Sequence, residues 1–398
     1  MYDVAVVGAG PAGSMAAKSA AENGATVLLI ERKVDIGVPL KCGEYLPTLK
    51  EMQVLTPNVE NIESIFKVPD KFIVNRTNFV KLISPRGKET EVAFEAVVIE
   101  RKFFEKYLAQ EAARAGADIM IRTEVQRLLP GGKGLAVIAD GKKSHVKAKT
   151  IIGADGAESI IARQLGLQTT INAMDLGICF QYEMARVESD PSVVEMYFGK
   201  DYAPGAYAWI IPKGGGVANV GVGVRTPYMQ KGVTAQECLR RLIKHHPVAS
   251  KKLRNAIPTA MVTGMVPIGG PLPKTFTENA VVVGDAAGQT IATVGAGVPT
   301  AMICGNLAGA IAANYVRGGC RMAEYEIRWK KAVGDVLSRG LKIRKINDII
   351  GKSDRIMEYA IGNWLKGEIL EKFLRCKFDL SFSTYLAAAQ RLLKGDKV

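Results

Sequence analysis

The residues best suited to chemistry begin within the first 31 positions. Gly8-Ala9-Gly10-Pro11-Ala12-Gly13 is a G-x-G-x-x-G turn, and Glu31 lies 18 residues beyond Gly13. In such a turn Gly8 permits the tight bend and Gly10 lets the backbone approach a pyrophosphate, while Gly13 allows close helix–sheet packing. The helix that follows offers free N–H groups and a positive dipole end to phosphates. A carboxylate at Glu31 can accept hydrogen bonds from both ribose hydroxyls, which favours FAD or NAD over NADP. Further along, Asp285 ends the apolar run Ala280–Val283, and Gly295-Ala296-Gly297-Val298 opens a small-residue helix. An aspartate so placed can bond the ribityl chain of a flavin, with the next helix N-terminus facing the isoalloxazine. A helix-capping aspartate in a second βα unit is the competing reading.

These groups need elements to hold them. Val4–Val7 is a short β-branched run that reads as a buried parallel strand. Ser14–Ala21 reads as a helix and Thr26–Ile30 as a second strand, so strand, turn, helix, strand and acid occur in the order a dinucleotide site requires. Ile151-Ile152-Gly153-Ala154-Asp155-Gly156 is another strand ending at Asp-Gly, followed by Ser159 and Arg163, and Arg101 opens a helix through Leu108. Gly177–Met184, Val193–Phe198, Tyr207–Ile211 and Val217–Val224 alternate in polarity between Asp/Pro/Gly turns and predict an antiparallel sheet. Gly131–Gly134 is a hairpin loop, since no Lys-Ser/Thr follows it. Ala286–Val316 has no charged residue, enough to span a bilayer. Its glycines, Pro299 and Asn306 predict a buried helix beneath the cofactor instead. His245-His246-Pro247 predicts a helix end in a surface region.

The GAGPAG turn, Arg101 ahead of its helix, Asp155-Gly156-x-x-Ser159-x-x-x-Arg163 and Gly284-Asp285 resemble the FAD-dependent aromatic-hydroxylase-like superfamily. Pro39-Leu40-Lys41-Cys42-Gly43-Glu44, Tyr207-Ala208-Trp209-Ile210-Ile211-Pro212-Lys213-Gly214 and Ala218–Gly223 narrow the resemblance to the geranylgeranyl reductase family, including its archaeal digeranylgeranylglycerophospholipid reductases, over residues 1–320. Ile211 stands where that family commonly has Phe, and Ala296 interrupts a triple glycine.

The resemblance implies an α/β chain with a discontinuous Rossmann-type FAD-binding domain from 1–75, 95–170 and 275–320. An antiparallel-sheet substrate domain would come from 76–94 and 171–274, and 321–398 would form a C-terminal helical region. Implied FAD contacts are Gly8, Gly10, Ala12, Gly13, Glu31, Cys42, Gly43, Arg101, Val125, Asp285, Gly295, Gly297 and Val298. The implied activity is hydrogenation of geranylgeranyl C=C bonds on archaeal-type membrane glycerophospholipids by reduced FAD. Flavin N5 would deliver a hydride, and the second hydrogen must arrive as a proton. Cys42 is the donor to test first, against a small buried cysteine, and Tyr207 comes second. Tyr207 and Trp209 lie two apart on one strand and share a face, where they line a lipid channel or belong to the core. Flavin monooxygenase and flavin-dependent halogenase chemistry are the alternatives. No second nucleotide motif is visible, so the electron source is left open among NAD(P)H, ferredoxin and a quinol.

Composition excludes other classes. The 398 residues are 48% hydrophobic and 23% charged, ample for a sizeable core and unlike a disordered chain. Six scattered cysteines without a C-x-x-C pair argue against a disulfide framework, a zinc site or an iron–sulfur cluster, and point to a cytoplasmic setting. The formal net charge is +14, and residues 317–398 carry 18 Lys and Arg against 10 Asp and Glu. No binding fold or aromatic–basic platform points to nucleic acid. This basic region is either a solvated helical face or a peripheral surface for anionic lipid, with Trp364, Leu365, Ile369, Leu370, Phe373 and Leu374 facing the bilayer or the core.

Overall fold

The computed structural model describes residues 1–40, 43–167 and 172–377. The chain opens with β1 (Tyr2–Val7), α1 (Pro11–Glu22) and β2 (Val27–Ile30). Val4–Val7 of β1 and all of β2 are runs of buried apolar residues, and the two strands pair in parallel across the α1 crossover. Then come β3 (Tyr45–Pro47), α2 (Leu49–Leu55), α3 (Ile62–Ile65), the hairpin β4 (Ile73–Ile83) and β5 (Glu89–Ile99), and α4 (Arg101–Arg114). They are followed by β6 (Asp118–Met120), β7 (Thr123–Leu128), β8 (Gly134–Ala139), β9 (Lys142–Gly153) and α5 (Ile160–Gln164). The second half holds β10 (Leu176–Ala185), β11 (Val193–Tyr197), β12 (Ala208–Gly214), β13 (Val217–Val224), α6 (Ala235–His245), α7 (Ala249–Leu253), β14 (Ile257–Pro267) and β15 (Ala280–Val282). Helices α8 (Val298–Val316), α9 (Ala323–Ile350), α10 (Asp354–Tyr359) and α11 (Gly367–Leu374) complete it.

Two sheets organise these elements. The first has the order β6-β2-β1-β9-β8-β7, with β15 also on β9. β6, β2, β1, β9 and β15 are mutually parallel, whereas the first half of β9 pairs antiparallel with β8. Strand order therefore reverses between β1 and β9, and a crevice outside the carboxyl ends of such strands is where α/β sheets bind ligands. The second sheet has the order β14-β10-β13-β12-β11-β4-β5-β3. The four predicted segments are β10 to β13, and the pairing is antiparallel except for β11 with β4. No hairpin turn joins those two strands, so nothing local fixes their relative direction.

The second part of the uncharged stretch from Ala286 to Val316 forms the largely buried helix α8 (Val298–Val316), and no helix among the described residues is long and apolar enough to cross a membrane. α8 packs on α1 through Gly305 and Gly309. A Cβ on either would lie 2.2 Å from the carbonyl oxygen of Ala12 or Ala16. One expectation changes, and one left open between bilayer and core is decided. His246 caps α6 but is fully buried instead of lying at the surface. Its Nδ1 accepts from the N–H groups of Val248 and Ala249, Nε2 bonds the Ser84 carbonyl, and Tyr197 and Tyr202 pack edge-on against the ring. The apolar face of the C-terminal helices meets the core: Leu365, Leu370, Phe373 and Leu374 are buried, and Ile369 is exposed.

Candidate active site

A cavity of about 570 Å³ starts at the reversal point between β1 and β9. Gly8 leaves β1 with φ near +100°, and a Cβ there would lie 2.4 Å from the Ala154 carbonyl oxygen at the end of β9. At Gly13 a Cβ would come within 1.8 Å of the Gly8 oxygen, so only glycine lets α1 start this close to the turn. Gly10 faces open space, and the N-terminus of α1 has no side-chain cap. Glu31 is buried at the tip of β2, where its carboxylate accepts from Ala9 N–H (2.9 Å) and Lys33 N–H (3.0 Å). A turn that bares its backbone, an uncapped helix start and a carboxylate clamped beside them fit the pyrophosphate and ribose of a dinucleotide.

Farther along the wall, Asp285 follows β15 and accepts from the Thr290 hydroxyl at 3.1 Å. A Cβ on Gly297 would sit 3.0 Å from that carboxylate. Gly295, Gly297 and Val298 line the same cavity, and the N-terminus of α8 also lacks a side-chain cap. Val125 and Arg101 line it from the other side; Arg101 begins α4 and pairs with Glu105 at 2.5 Å. Asp155 is occupied locally, accepting from the Ser159 hydroxyl and from the N–H groups of Ile160 and Ile161 at the start of α5. Burial raises its pKa against the pull of those bonds. Cys42 lies outside the described residues, while Gly43 beside it lines the cavity.

The second sheet supplies the opposite wall. Tyr207 and Trp209 both reach the cavity, their ring centroids 5.9 Å apart. Trp209 Nε1 donates to Gln181 Oε1 at 2.8 Å, and the Tyr207 hydroxyl donates to the Val294 carbonyl at 2.7 Å, holding its proton beside Gly295. The glycine after Val220 now has a reason. Gly221 pairs with Trp209 across β12 and β13, and a Cβ there would lie 2.4 Å from the indole. The apolar part of the cavity lining includes Leu46, Met52, Leu82, Phe94, Met196 and Phe373. The lining also holds Lys200, Arg225, Tyr228, Arg344 and Asp348, with Arg225 buried and paired with Asp348. FAD held at the reversal point would supply a hydride; these walls supply placement and exclude water.

Sequence reasoning assigned no role to a charge cluster behind Gly43, in which Lys213 and Glu44 are buried while Glu100 and Glu183 are half-buried. Lys213 Nζ lies 3.0 Å from Glu44, 2.6 Å from Glu100 and 2.9 Å from Glu183. Burial pulls the Lys213 pKa down, but the three carboxylates outweigh it and hold the ammonium above the ordinary lysine range. Glu44 has φ near +65°, a left-handed backbone costing roughly 1–2 kcal/mol for a residue with a Cβ. Its carboxylate also accepts from Arg101 N–H at 2.9 Å and Asn219 Nδ2 at 3.0 Å. The available signal was that Glu44, Lys213 and Asn219 each sit inside one of the family-like motifs.

Comparisons with known proteins agree with this geometry. Residues 3–206 match the FAD dependent oxidoreductase family, and residues 175–266 match the geranylgeranyl reductase catalytic domain. A digeranylgeranylglycerophospholipid reductase of Methanocaldococcus jannaschii is 39% identical over 387 residues, covering 94% of each chain. The chain belongs to the digeranylgeranylglycerophospholipid reductase family. A second member, from Methanosarcina acetivorans, is 36% identical and matches 99% of each chain. Among solved structures, a geranylgeranyl bacteriochlorophyll reductase-like protein of Thermoplasma acidophilum superposes with a TM-score of 0.83 at 27% identity, covering 98% of this chain and 99% of that one. A flavin-dependent brominase shares the fold, with a TM-score of 0.73 at 18% identity, covering 99% of this chain and 100% of that one. FAD is the cofactor of this fold and family, and the reversal-point crevice fits it.

Proposed function

We propose that the chain uses reduced FAD to hydrogenate C=C bonds of geranylgeranyl groups on a glycerophospholipid. The observation that carries this reading is one continuous cavity. Its lining takes in the dinucleotide turn, Gly43, Trp209, Tyr207 and apolar side chains from β3, α2, β4, β5, β11 and α11. An isolated alkene is a poor hydride acceptor, so the chain must hold it still, keep water away and provide a proton. Cys42 and Tyr207 are the donor candidates, and Trp209 is a substrate contact. The test is anaerobic. The enzyme is reduced with dithionite, geranylgeranyl-bearing lipid is added, and flavin reoxidation is followed beside a product mass gain of two per double bond. Oxygen-dependent hydroxylation of an aromatic acid, with no lipid reduction, would establish the monooxygenase alternative instead. We also propose contact with an anionic membrane through α9, whose Arg328, Lys331, Arg339, Lys342 and Lys345 are exposed. Salt-sensitive retention on anionic liposomes supports this contact; no retention removes it.

A further inference from the structure

Motifs from two distant stretches of the chain meet behind the cavity wall. Glu44 comes from the loop before β3, Lys213 from the end of β12 and Asn219 from β13. Glu100, the N-cap of α4, and Glu183 on β10 complete the cluster. One ammonium thus serves three carboxylates on three elements. An ion cluster built on a buried lysine is a poor way to gain stability, since apolar residues of similar volume usually do as well. Its value lies in the arrangement it enforces.

That arrangement is specific. Glu44 Oε1 accepts from Arg101 N–H, Oε2 accepts from Lys213 and Asn219, and the Glu44 carbonyl accepts from Ile99 N–H. These bonds hold a non-glycine residue in the left-handed region. The turn sets Gly43 directly on the wall, where a Cβ would lie 3.0 Å from Ile211 and 3.8 Å from both Gln181 Oε1 and Trp209 Nε1. Asn219 Nδ2 also donates to the Gly43 carbonyl at 3.1 Å.

We propose that Lys213 is a positioning residue: acting through Glu44, it fixes the Gly43–Glu44 turn against the Trp209–Gln181 pair at the reacting end of the cavity. The proposal rests on the reductase reading. Without the ammonium, the three converging carboxylates lose the cation they share. Protonating one carboxylate then relieves the repulsion.

The test compares Lys213→Met and Glu44→Gly with wild-type holoenzyme in the anaerobic reoxidation assay from pH 8 to pH 5.5, with flavin absorbance recorded alongside. Lys213→Met is expected to lose 10-fold or more in reoxidation rate at pH 8, with the lipid KM within twofold, and to recover several-fold as pH falls. Its flavin bands should shift at pH 8 and return toward wild type in acid. Glu44→Gly relaxes the backbone but removes the anchor, so it is expected to lose rate at every pH. A pH-independent loss in Lys213→Met with unshifted bands, or full activity in Glu44→Gly, overturns the proposal. If wild type itself shows no lipid-driven reoxidation, the reductase reading fails, and the pH-dependent flavin bands alone decide the role of Lys213. If Lys213→Met does not fold, Glu44→Gly decides it.

Discussion

Replacing Gly305 by alanine isolates the contact that holds the cofactor helix in place. The added Cβ would lie 2.2 Å from the Ala12 carbonyl oxygen and 3.0 Å from its carbon, both on α1 backbone. Carbon–oxygen contacts settle at about 3.3–3.6 Å, so the two helices must separate by roughly 1 Å. Overpacking of this kind costs typically 1–3 kcal/mol, and a rigid backbone neighbour places it near the upper end. Alanine recovers about 1 kcal/mol of helix propensity over glycine. The expected net loss is therefore about 2 kcal/mol. The control is Gly334→Ala on α9, where the nearest atom is Lys330 Cβ at 3.6 Å, an ordinary contact. There only the propensity gain is left, and the change has the opposite sign. Thermal melts of the two variants beside wild type, with flavin content read from absorbance, make the comparison. Gly305→Ala should melt lower and lose FAD, because Ala12 belongs to the turn that faces the pyrophosphate. A Gly305→Ala protein that melts at or above wild type with its flavin retained would refute the reasoning.

Other perturbations follow from the same geometry. Burial lowers the pKa of His246 to about 4 from 6.5, so the unfolded chain binds the proton more readily than the native one. Stability should therefore fall by about 3 kcal/mol as pH drops from 6.5 to 4, and urea melts in which His246→Gln shows the same acid slope would contradict this. Glu31→Ala strips the acceptor from the buried Ala9 N–H and from Lys33 N–H. Each unsatisfied donor costs roughly 1–3 kcal/mol, so FAD affinity by titration calorimetry should drop well beyond that of Glu31→Gln, which keeps one acceptor oxygen. Gly221→Val drives a side chain into the Trp209 indole and breaks its bond to Gln181. The lipid KM should rise with FAD content unchanged, and an unaltered KM would place Trp209 outside the substrate path.

Which features the sequence revealed depends on how far apart their parts lie in the chain. The β1–α1–β2 unit and Glu31 are legible because turn, helix and acid are neighbours whose spacing is itself the constraint. The strands β10 to β13 are legible for a similar reason, since alternation is a local pattern. His246 misleads because a histidine at a helix end before proline looks solvated. Burial comes from Ser84, 162 residues away, which receives the bond from Nε2. The apolar face of α11 stays undecided in the sequence for a different reason: Leu370, Phe373 and Leu374 share a helical face that suits a bilayer and a core equally well. Only the tertiary packing places Phe373 and Leu374 along the cavity. The Lys213 cluster is the extreme case, because its four charges come from residues 44, 100, 183 and 213, and no window of sequence contains two of them. Yet Glu44, Lys213 and Asn219 all stood inside motifs with no assigned chemistry. A polar residue embedded in a site motif without a partner of its own is a reason to look for the distant element that supplies one, and here that element is the wall on which Gly43 rests.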